Sequence, residues 1–83
     1  MINNEDMIPA YVLAREVFGC TMYFPARRTV TAVTRLSEAN HYFTKQLAIA
    51  AIASLRESKL HGRYTYRMVP VLYNAMSGSL EEI

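Results

Sequence analysis

Cys20, His41 and His61 are the residues of this chain best suited to nucleophilic, general-base or metal chemistry, and their spacing decides which of these is open to them. They are isolated from one another in sequence, with no paired-ligand spacing and no nucleophile motif around any of them. No metal, no cofactor and no catalytic set is therefore expected. A buried structural thiol at Cys20 and surface histidines are the reading that remains. The single cysteine excludes an intramolecular disulfide and fits a reducing compartment. Acid and base work by paired carboxylates is equally poorly supplied, since Glu16, Glu38 and Glu57 are the only acids outside the termini. The three glycines lie far apart, which removes a phosphate-cradling loop. An enzyme is not expected.

Charge distribution points to binding instead. Four of the seven acids, Glu5, Asp6, Glu81 and Glu82, sit at the two ends, and the body between them carries nine bases, seven of them arginine. Arginine forks suit phosphate and carboxylate groups. Arg27, Arg28, Arg63, Tyr64, Tyr66 and Arg67 form the candidate binding set, combining cationic forks with aromatic faces. The competing reading packs Tyr64 and Tyr66 on the core and leaves the arginines in water. Six tyrosines, three phenylalanines and five methionines in 83 residues add side-chain types enriched at the centres of protein interfaces.

The elements that must position these residues are read from punctuation and periodicity. Pro9, Gly19, Pro25, Gly62, Pro70 and Gly78 alternate along the chain, and proline opening a helix with glycine closing it outlines three helical intervals. In 9–18, Tyr11, Ala14 and Phe18 share a face that Val12, Leu13 and Val17 widen. Residues 20–24 read as a strand or an extended linker. An unbroken helix over 25–61 would be about 55 Å long at 1.5 Å per residue, too long for a domain with a radius of gyration of about 12 Å. Ser37 is the expected break and cap. This gives a helix over 26–36 with Val30, Val33 and Leu36 inward, and one over 38–59 with Phe43, Leu47, Ala50, Ala51 and Leu55 inward. The run 47–53 is apolar on every side. The alternation of Tyr64, Tyr66 and Met68 with Arg63, Thr65 and Arg67 predicts a strand, Pro70 opens a last helix, and 1–6 and 79–83 are fraying tails.

The expected fold is a single small domain over 1–83, mainly α, with three to four helices around a central apolar helix and a short two-stranded pairing of 20–24 with 63–69. Leu47, Ala50, Ala51 and Leu55 are the expected contacts of a homo-oligomer. Residues 1–6 are polar and acidic where a secretory signal is basic and then apolar, and the run 47–55 is far shorter than the about 20 residues of a membrane span. A soluble, cytoplasmic chain with no membrane partner follows as an expectation. The functional expectation is a small non-enzymatic protein-binding module, an accessory or inhibitory protein of the kind a phage or similar element carries, acting by occupying a partner's surface. The alternative is a winged-helix DNA-binding protein with 26–59 as the helix pair and 61–69 as the wing. A protein partner ranks above a nucleic acid.

Overall fold

Ala10, Tyr11, Val12, Leu13 and Ala14 form an apolar run without a polar break because the strand that carries them is covered on both faces. The computed structural model describes residues 7–83 other than Arg28, Thr29, Leu60, His61 and Arg63. It contains β1 (Met7–Val17), β2 (Cys20–Tyr23), a 3-10 turn at Leu36–Glu38, α1 (Lys45–Arg56), β3 (Arg67–Asn74) and β4 (Leu80–Glu82). The strands make one antiparallel sheet in the order β2-β1-β3-β4. The mainly helical expectation is overturned: the protein is sheet-dominated, with α1 as the one α-helix among the described residues.

Alternate residues of β1 serve two core layers. Ala10 and Val12 pack with Ala39 and Val71 on one face, where Tyr23, Leu36, Val69, Tyr73 and Leu80 complete the layer. Leu13 packs with Ala48 and Tyr66 on the other, beneath the inward side of α1 at Ala51, Ile52 and Leu55. A strand buried on both faces loses its polar alternation, and over a few residues it then resembles the broad stripe of an amphipathic helix. That is why 9–18 reads as helix while 9–17 folds as part of β1. The expected pairing of 20–24 with 63–69 fails for the same reason, since β1 lies between β2 and β3 and pairs with both.

The prolines occupy positions where a strand tolerates them. Tyr11 exchanges both of its backbone hydrogen bonds with Tyr42, at 2.7 and 2.8 Å, on the side of β1 away from β3. Its register partner Pro70 therefore directs its missing N–H away from β1, one residue beyond the β4 pairing that begins at Val71. Pro70 sits inside a strand, not at the start of a helix. The expected tail 79–83 holds β4, paired with Val71, Leu72 and Tyr73. An Asn74 side chain that accepts from Met76 N and Ser77 N closes the intervening turn.

Among the described residues of 26–36 none is α-helical. The chain there bridges back to the sheet, Tyr23 to Val33 and Pro25 to Ala39, and Ser37 lies within the 3-10 turn instead of capping a helix. The helix that the winged-helix alternative expects over 26–36 is not present among the described residues. Thr44 is the cap that begins α1, its Oγ1 accepting from Leu47 N at 3.1 Å, a contact of about 1 kcal/mol. The alanine-rich segment that follows has high helix propensity, which fixes its type but not its orientation. Burial sets the orientation: Ala48 is buried and Ala51, Ile52 and Leu55 are half-buried, whereas Phe43, Leu47 and Ala50, expected inward, are exposed.

Candidate functional site

The β1–β2 hairpin is the part of the sheet that projects from the rest. Pairing of β1 with β3 ends at Ala14, so 15–17 and the β2 residues opposite them continue for about 10 Å without β3 beside them. The two-residue loop at its tip is Phe18-Gly19, with φ of 50° and 80°. Two successive positive φ values fit the tight primed turns that match strand twist, for which Asn-Gly is the favoured pair. Phe18 is the one non-glycine residue with positive φ among those described, and the residue is fully exposed, at 103%.

The base of this arm is braced on both faces. On one, Arg67 Nη1 donates to Glu16 Oε1 at 2.8 Å, and Thr21 Oγ1 donates to the same oxygen at 3.0 Å. The Arg67 hydrogen bond, then that from Thr21, holds the Glu16 carboxyl below its ordinary value of 4.5, with the charge of Arg67 adding to them and slight burial opposing. On the other, the Arg15 guanidinium lies 3.4 Å from the centroid of the Tyr64 ring, a cation held by an aromatic face. Arg15 Nε is buried without a hydrogen-bond partner, so stacking holds this group in place.

Because the Glu16 pKa is depressed in the fold, its contribution to stability is complete above the unfolded value and is lost as pH falls through the folded one. Stability of the wild type relative to Glu16→Gln is therefore expected to shrink as pH drops below about 4.5. Urea unfolding of both proteins between pH 7 and pH 3 measures it; a pH-independent difference would contradict the brace.

The described members of the expected arginine and tyrosine set do not come together in one patch. Tyr66 is a core residue, 8% exposed and edge-on to Phe24 with ring centroids 6.1 Å apart. Burial pushes its phenol up, against the pull of the nearby Arg15 charge, while Tyr64 adds to the rise. Arg67 engages Glu16 on the opposite face of the sheet, and Arg27 is exposed on the 24–39 segment. Arg28 and Arg63 lie outside the described residues. Of the set, Tyr64 and Arg67 matter most here as braces of the hairpin arm. Tyr64 and Tyr66 also line a groove of about 330 Å³ with Ile52, Arg56, Gly62 and Thr65.

Cys20 is exposed beside the hairpin tip and is not the buried thiol expected from composition. His41 stacks on Tyr73 with centroids 4.9 Å apart, and Phe43 meets both rings edge-on. Cys20 pairs with Val17, while His41 neighbours Tyr42, which bridges to Tyr11, so the two stand about 20 Å apart along β1. The structure does not join them into a nucleophile and base. His61 lies outside the described residues. Among the described residues no three His, Cys, Asp or Glu side chains are grouped to hold a metal, and no helix is long and apolar enough to cross a membrane.

Phe18 is the residue that sequence reasoning missed. Its one signal is Gly19 between two segments rich in β-branched and aromatic residues, and the Asn or Asp that marks such a turn is replaced by phenylalanine. The site is therefore a projecting, doubly braced β-hairpin with an aromatic tip. No protein-family model, curated protein or solved structure matches the chain.

Proposed function

We propose that the chain is a protein-binding module without catalytic chemistry of its own, anchored to its partner by Phe18. The observation that carries this reading is the combination of full exposure and a left-handed backbone at one bulky residue. A left-handed conformation costs an L-residue about 1–2 kcal/mol, and a side chain in water returns none of it through packing. Asparagine or glycine would serve the turn better. Phenylalanine brings instead about 150–250 Å² of aromatic surface, the kind of side chain that fills a pocket at the centre of an interface. The braces at Glu16 and Arg67 and at Arg15 and Tyr64 present that ring on an ordered arm, which lowers the entropic cost of docking it.

Phe18→Asn is the test. The variant is expected to melt about 4–8 °C above wild type, as about 1 kcal/mol of relief implies for a domain of this size. In affinity capture from native host lysate, wild type is expected to enrich a stoichiometric protein that Phe18→Asn recovers at least about tenfold less, equivalent to about 1.4 kcal/mol. Equal recovery by the two proteins would sink the assignment of Phe18 as the anchor.

A further inference from the structure

The outward side of α1 forms a second surface, independent of the hairpin. With about 100° between successive residues, the burial of Ala48 and half-burial of Ala51, Ile52 and Leu55 place Gln46, Ala50, Ala53 and Glu57 along the opposite ridge. All four are exposed. Ile49 flanks the ridge on one side, 54% exposed, and Leu47 on the other, 55% exposed. Among the described residues none covers either flank fully.

From this pattern we infer that α1 is a self-recognition surface, on which a second copy of the chain packs its own α1 antiparallel across a two-fold axis. Three features select a copy of this chain as the occupant. Antiparallel superposition that sets Ala50 against Ala53 of the other copy also sets Gln46 against Glu57, so the ridge is complementary to its own reverse. Small residues at the crossing allow the helix axes to approach to about 8 Å, bringing Ile49 and Leu47 against the flanks of the second helix. Charge matches in the same arrangement: Lys45, at the start of one helix, lies beside Glu57, at the end of the other, and both are exposed. A parallel arrangement would set Lys45 against Lys45. At about 18 Å the helix buries less than a standard stable interface, so the association is a weak one that concentration reveals.

Sedimentation equilibrium of the purified chain from about 10 µM to about 0.5 mM tests this, in the affinity range that an interface of this size reaches. The weight-average mass is expected to rise from that of the 9.5 kDa monomer towards twice that value. Ala50→Arg is expected to stay monomeric throughout, with an unchanged far-ultraviolet spectrum and melting temperature showing that it is folded. Lys45→Glu is expected to weaken association by setting like charges together, and Lys45→Glu with Glu57→Lys to restore it. Both reversals place charge favourably for the helix dipole, so a loss in the single variant is not a loss of helix. Phe18→Asn is expected to associate as wild type does. A clean monomer at about 0.5 mM, association unaffected by Ala50→Arg, failure of the double reversal to restore it, or its loss in Phe18→Asn would each overturn the antiparallel α1 pairing.

Discussion

Leu13→Ala is expected to destabilise the fold by about 2–5 kcal/mol, a large share of the about 5–15 kcal/mol that holds a small domain together. Leu13 is 0% exposed and belongs to the layer that joins the sheet to α1 through Ala48 and Tyr66. The cost has two parts, the lost burial of the removed methyl and methylene groups and the cavity left where β1, β3 and α1 cannot all collapse. Urea unfolding at neutral pH reads it as a lower midpoint at unchanged slope. A loss under about 1 kcal/mol would mean that the layer beneath α1 is not packed around Leu13.

Two alanines in α1 are expected to give opposite outcomes when each is replaced by arginine. Ala48 is 0% exposed against the sheet, so Ala48→Arg forces a cation into a layer whose described buried residues, Leu13, Ala48 and Tyr66, include no acid to pair with it. An uncompensated buried charge costs several kcal/mol even after relaxation, enough to abolish cooperative unfolding in a chain of this size. Ala50 is exposed one half-turn away, and Ala50→Arg is expected to leave monomer stability within about 0.5 kcal/mol. Thermal melts at low micromolar concentration compare the two. Equal destabilisation would show that α1 is rotated about its axis relative to the orientation described.

That contrast also marks where the sequence stops being informative. The segment 47–53 is apolar on all sides, so its composition identifies a helix while leaving its inward face undefined; only Ala51 and Leu55 of the expected inward set face the sheet. The strand at Cys20–Tyr23 and the common side of Tyr64, Tyr66 and Met68 are legible from β-branched residues and alternation, but the strand expected over 63–69 begins only at Arg67 and runs on to Asn74, with Tyr64 to Tyr66 outside it. β1 is not legible, since burial on both faces erases alternation. Pro70 and Pro9 misled because proline breaks a strand only where its N–H is needed. Gly19 and Gly78 misled because the left-handed conformation that ends helices also makes hairpin turns: both have positive φ, and both lie in turns between strands. Each residue supports two local structures, and pairing partners far along the chain choose between them.

The candidate site shows the same division. Arg67 and Tyr64 stand out in the sequence by their chemistry, and both lie against the hairpin, yet through Glu16 and Arg15, contacts no spacing rule connects. Phe18 carries no motif. It is identified by what the fold does to it: a bulky ring in water on a backbone better suited to asparagine.

One measurement isolates that residue most directly. Wild type and Phe18→Asn are unfolded in urea, each with and without the protein recovered by wild type. The expected result is that the variant is the more stable alone, while only wild type gains stability from the partner, as a ligand of the folded state must provide. A variant less stable than wild type, or one that gains equally from the partner, would contradict the role of Phe18 as a binding anchor held against the preference of its own turn.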